Sequence, residues 1–151
     1  MATTTFTLGI TSDISSDTLD ISTSFDVTTD GATGVAETTG IATKKVGTSD
    51  VLILDLSGGT GTNPVDLIAK KAVMYLKNTD ATFANYIDIK IGTAPTADQH
   101  AEVLRIYGGQ FAVMPLVNST DIDADGGIDG DVMAKAFNAT SMLEYALFYE
   151  S

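Results

Sequence analysis

The residues whose types and spacing come nearest to a chemical site are Asp121-Ile122-Asp123-Ala124-Asp125-Gly126-Gly127-Ile128-Asp129. Three carboxylates at alternate positions can converge on a hard cation. Gly126 permits a sharp turn, Gly127 offers its carbonyl, and Ile128 pins the loop to a core. Asp121, Asp123, Asp125, Gly127 and Asp129 are therefore candidate ligands for Ca2+ or a similar divalent ion. The twelfth position is Val132, where a helix–loop–helix calcium site needs a bidentate glutamate. The same residues thus also read as a solvated acidic turn between two strands. Five carboxylates within eleven residues repel one another, and a cation there would relieve the repulsion.

No other constellation supports a reaction. Ser57-Gly58-Gly59-Thr60-Gly61-Thr62 is glycine-rich but lacks the Lys-Ser/Thr ending of a phosphate loop, so it reads as a linker or hairpin loop. His100 is the one histidine, and no serine or carboxylate can be assigned to it, which makes it an exposed loop residue. Without cysteine there is no disulfide, thiolate nucleophile or zinc ribbon. Asn118-Ser119-Thr120 and Asn138-Ala139-Thr140 fit the glycosylation triplet, but the N-terminus has neither the cationic nor the apolar region of a secretory signal. No apolar run approaches the ~18–20 residues of a membrane span. Eight Lys and Arg against twenty Asp and Glu give a net charge of −12, which disfavours nucleic acid and anionic lipid as partners. The sequence reads as a non-enzymatic structural or binding protein that requires no cofactor.

The elements that hold these residues are strands. The first fifty residues contain 14 Thr and 6 Ser, a β-branched and helix-averse composition. Leu19, Ile21, Thr23, Phe25 and Val27 alternate with polar residues, the period of a half-buried strand. A weak strand is expected at 40–46 and a short buried one at 51–56. Residues 66–77 fit helix or strand. Strand is preferred because Asn78-Thr79-Asp80 follows as a turn, and it puts Val73 and Tyr75 on one face with Met74 and Leu76 on the other. Ile87, Ile89 and Ile91 alternate with Asp88 and Lys90, the cleanest β pattern in the chain. Two further strands, 103–107 and 111–117, meet at Gly108-Gly109, and Pro115 marks the second as an edge or bulged strand. In the last strand Leu143, Tyr145, Leu147 and Tyr149 share a face. Phe148 lies on the other face with Met142 and Ala146, which implies cover by a second sheet or another chain.

Eight or nine short strands without a convincing helix define an all-β chain, an antiparallel β-sandwich or jelly roll with an extended Thr-rich N-terminal segment. Residues 1–30 are expected to be an arm or the first strands, and 31–151 the sandwich domain.

Residues 75–80 (Tyr75-Leu76-Lys77-Asn78-Thr79-Asp80), 104–116 (Leu104-Arg105-Ile106-Tyr107-Gly108-Gly109-Gln110-Phe111-Ala112-Val113-Met114-Pro115-Leu116) and the aromatic ending at 142–151 resemble small virion structural proteins of tailed, marine-type bacteriophages. The resemblance covers about residues 66–151 and implies a capsid decoration or cement protein. Such a protein bridges major capsid subunits on the outer surface of the virion, most often as a homotrimer, after synthesis in the host cytoplasm. In this setting Phe6, Leu8 and Ile10 of the arm, with Phe148, are the candidate interface residues. Two alternatives stay open: another virion part (tail, neck or head–tail connector) and a calcium-dependent carbohydrate-binding sandwich. The latter usually presents Trp or Tyr platforms, and this chain has no Trp.

Overall fold

The computed structural model of the protein describes residues 3–12, 19–28, 35–55, 71–92, 101–117 and 131–150. The metal candidates at 121–129, the glycine-rich stretch 57–62 and His100 lie outside the described residues. Among the described residues there are eleven strands and no helix. They are β1 (Thr3–Ser12), β2 (Leu19–Thr28), β3 (Val35–Thr38), β4 (Ala42–Val46), β5 (Val51–Asp55) and β6 (Lys71–Asn78), followed by β7 (Ile87–Gly92), β8 (Ala101–Ile106), β9 (Phe111–Val117), β10 (Asp131–Ala136) and β11 (Ser141–Glu150).

All pairings are antiparallel. One sheet runs β5-β10-β7-β8. A second runs β3-β11-β6-β9, with β4 also paired to β11. β3 and β4 occupy successive stretches of the same β11 edge: β3 faces residues 148–150 and β4 faces 141–145. Gly40, at φ 68°, makes the break between them, a left-handed conformation that glycine adopts without a Cβ penalty. β1 and β2 form a separate two-stranded ribbon.

One core joins the two larger sheets, an arrangement consistent with a β-sandwich. Alternation selects its members: Ala72, Met74 and Leu76 from β6 and Leu143, Tyr145 and Leu147 from β11 meet Ile87 and Ile89 of β7 and Val132, Ala134 and Ala136 of β10. Each fully buried Leu, Ile or Met contributes about 1.5–3 kcal/mol. The strand reading of the ambiguous segment holds over Lys71–Asn78, with the faces divided as its alternation implies.

Three features depart from the sequence reading. Val35–Thr38 and Asp131–Ala136 are strands with no strong pattern of their own. Val132 and Ala134 gain theirs only from neighbours on both sides. β8 and β9 do not pair through Gly108-Gly109, because the turn carries the chain from one sheet to the other. Asp88 and Lys90, read as the polar face of β7, are themselves buried. β7 is an interior strand, and Asp88 and Lys90 are screened by partners from adjacent elements. Pro115 does lie in an edge strand, β9.

Candidate interaction surface

The β1–β2 ribbon is amphipathic by construction. Its register sets Phe6 opposite Phe25, Leu8 opposite Thr23 and Ile10 opposite Ile21. Between these rows, Thr5 faces Asp26, Thr7 faces Ser24, Gly9 faces Ser22 and Thr11 faces Asp20. Apolar residues thus collect on one side of the ribbon, and threonine, serine and aspartate on the other.

The outer face of the larger sheet receives this ribbon. Its rows follow from the pairing: Phe148–Val73–Pro115, then Ala146–Tyr75–Val113, then Glu144–Lys77–Phe111, with Met142 beside Lys45. Phe6 meets Phe148 edge to face, ring centroids 5.2 Å apart and planes at 90°. Aromatic pairs prefer this geometry because the ring edge carries positive charge and the face negative. Ala146, although on the outer face, is only 1% exposed. The Tyr75 hydroxyl donates to Glu144 Oε1 at 2.8 Å, and burial together with the neighbouring carboxylate pushes its pKa up to about 12.

Cover stops beyond Phe6. A cleft of about 380 Å³ opens between ribbon and edge strand, lined by Phe6, Thr7, Leu8 and Thr23 on one side and by residues 111–113 on the other. Leu8, Ile10 and Ile21 remain 42–43% exposed, and Phe111 58%. Of the nine large hydrophobic residues exposed among the described ones, Leu8, Phe111 and Val113 line this cleft, and Ile10 and Ile21 continue the ribbon's apolar side beyond it. Scattered exposed hydrophobics need no explanation, but a contiguous group marks a contact surface. Of the four interface candidates from sequence, Phe6 and Phe148 touch each other within the chain, while Leu8 and Ile10, on the same side of the ribbon as Phe6, stay exposed. Phe111 and Val113 were not singled out, because alternation within β9 separates its faces without saying which one is open.

A second exposed region lies where the β6–β7 loop meets the β8–β9 turn. The Asn78 side chain is fully buried: Nδ2 donates to the carbonyls of Asn85 (2.9 Å) and Ile106 (3.1 Å), and Oδ1 accepts from Asp80 N–H at 3.1 Å. Asp80 accepts from Thr82 N–H (2.8 Å), Asn85 Nδ2 (3.0 Å) and Ser141 Oγ (3.3 Å). The Thr82 and Asn85 donors hold its carboxyl below the usual range. Gly108 closes this end, since a Cβ there would collide with the Thr82 carbonyl and lie 2.9 Å from that of Asp80. On this base Phe83 stacks on Tyr107 (4.7 Å), Tyr107 meets Tyr86 (5.6 Å) and Tyr86 stacks on Phe137 (4.8 Å). Arg105 lies 4.0 Å from the Tyr86 ring centre and grips buried Asp88 with two bonds of 2.7 and 3.0 Å, which raises its pKa. Phe83 is 61% exposed, but the polar groups beneath it are bonded to one another. Sequence reasoning missed this cluster, since nothing in local spacing links residues 83, 86, 107 and 137.

Among the described residues, no group of three or more His, Cys, Asp or Glu comes together as metal ligands would. The chain matches no family model, no curated protein and no solved structure.

Proposed function

We propose that this chain is a non-enzymatic structural protein of a phage virion, which decorates and cements the outer surface of the capsid by bridging major capsid subunits, working as a homo-oligomer of three copies. The observation that carries the reading is the amphipathic ribbon, whose apolar side is seated at Phe6 and open at Leu8, Ile10 and Ile21. A contact surface of that kind serves assembly, and the polar side with its acidic surroundings suits a solvent-facing exterior that repels the packed genome. The resemblance of residues 66–151 to small virion proteins supports the same reading.

Strand order adds a fold-level argument for a jelly roll. If β4 to β11 are numbered one to eight, one sheet runs one-eight-three-six and the other two-seven-four-five. That is the order of two nested Greek keys, an architecture that recurs in viral capsid proteins and also in lectins.

The test is mass spectrometry and immunogold labelling of purified particles from cells carrying the gene in its native context. The protein is expected in fixed ratio to the major capsid protein, with label on the head. Label confined to tail or neck, or absence from particles, would overturn the decoration role. Deleting residues 1–30 should abolish incorporation while the two-sheet body still folds.

A further inference from the structure

We infer that the outer end of the ribbon, carrying Ile10 and Ile21, seats in the cleft between ribbon and edge strand of a second copy of this chain. The inference rests on the assembly reading above and names the partner of that surface.

The molecule carries both halves of such a contact. The cleft, walled by Leu8 and Thr23 against Phe111 and Val113, is open and lined by uncharged residues. Ile10 and Ile21, opposite each other in the register, lie ~6–7 Å further along the ribbon than Leu8 and Thr23. An isolated two-stranded ribbon is marginal in water and needs a third strand or a packing surface. Here only the Phe6 level has the Phe148 ring beneath it, so the outer half gains most from a surface supplied by another molecule.

Charge selects the occupant. With a net charge of −12, two copies repel over most approaches. The cleft is the exception: its lining is neutral, and the outer face beside it carries Lys77, paired with Phe111 on one side and Glu144 on the other, and Lys45 against Met142, two lysines to one carboxylate. The incoming ribbon end carries exposed Asp20 next to Ile21. An acidic ribbon end meeting a neutral apolar cleft on this face, where lysines outnumber the carboxylate, is complementary. A cationic partner would be drawn instead to the acidic remainder of the surface. Because tip and cleft are different patches, the contact is head to tail and closes into a ring when the rotation allows.

The test uses the full chain in light scattering and sedimentation over a wide concentration range. Wild type is expected to associate, and more strongly as salt screens the net repulsion. Ile10→Asp with Ile21→Asp should weaken association about tenfold or more while far-ultraviolet dichroism and the urea midpoint stay unchanged. Asp20→Lys should weaken it less, and adding Lys77→Glu should restore it. Because the chain has no cysteine, Ile21→Cys copies mixed with Phe111→Cys copies should yield a 21–111 disulfide-linked dimer on oxidation, in excess of either homodimer. A wild type monomeric at every concentration, tip variants that associate like wild type, or no excess of the mixed dimer would each overturn the inference. The two readings fail separately. If tip variants dissociate a protein that is absent from particles, the contact stands and the virion role falls. If particles carry the protein but no 21–111 link forms on them, the contact falls and the virion role stands.

Discussion

The β6–β7 loop end and the ribbon side of the larger sheet both expose aromatic or aliphatic side chains, yet they are built in opposite ways. At the loop end, Asn78 and Asp80 spend their hydrogen-bonding capacity on neighbouring backbone and side-chain groups, and Phe83, Tyr107, Tyr86 and Phe137 spend their faces on one another. At the ribbon side a neutral cleft is left between two apolar walls, and the side chains beyond it have no comparable cover. The first region is closed on itself and belongs to the stability of the fold. The second is open, and its exposed groups are more favourably placed against another surface. Exposure alone would rank Phe83 above Leu8. What separates them is whether the surrounding groups already have partners.

Substitutions should divide along this line. The largest effect is expected from Arg105→Ala, which strands the buried Asp88 carboxylate. The urea unfolding midpoint should fall most in this variant, because the carboxylate is almost fully buried and loses both of its bonds to the guanidinium. Asn78→Ala leaves two carbonyls and one N–H without their partner and should cost about 2–3 kcal/mol by the same measurement. Gly108→Ala forces backbone against backbone and should cost about 1–3 kcal/mol. None of the three should change the association of the folded protein. If one did so at full foldedness, the loop end would not be closed on itself.

Titration sharpens the contrast at smaller scale. Tyr75 is raised to about 12, so the stabilisation it carries is fully present below the ordinary tyrosine pKa of 10.0 and is lost as pH rises through its own. Phenolate absorbance should show a late-ionising step, and Tyr75→Phe should remove it. Asp80 is shifted the other way. Its stabilisation is present above the ordinary value of 3.8 and is lost as pH falls through its lowered pKa. Unfolding curves of wild type and Asp80→Ala should therefore converge in strong acid and separate above about pH 4.

Much of this fold was legible because a period of two needs no tertiary information. Ile87, Ile89 and Ile91, or Leu143, Tyr145 and Leu147, announce a buried strand face from the sequence alone. What the pattern does not contain is the second face. Asp88 and Lys90 read as solvent-facing, yet β7 lies between β8 and β10 and both are buried. β10 has a core face only because β5 and β7 flank it. The ribbon shows the same division. Alternation in 19–27 was plain, and Phe6, Leu8 and Ile10 alternate with Thr5, Thr7 and Gly9 in the same way, but nothing local says that the two stretches pair, so Thr3–Ser12 reads equally as an arm until the register is known. The aromatic cluster was invisible for a related reason, since its members come from the β6–β7 loop, the β8–β9 turn and the end of β10 and meet only once both sheets are in place.

The most direct measurement is the solution mass of the full chain by light scattering, comparing Leu8→Asp with Phe83→Asp. Each variant puts one carboxylate on one exposed apolar residue. If the ribbon side is the assembly surface, Leu8→Asp shifts the protein to monomer and Phe83→Asp leaves the oligomer intact, losing only the Tyr107 stack at about 0.5–1.5 kcal/mol of stability. An oligomer that survives Leu8→Asp and dissociates with Phe83→Asp would contradict the account and move the contact to the loop end.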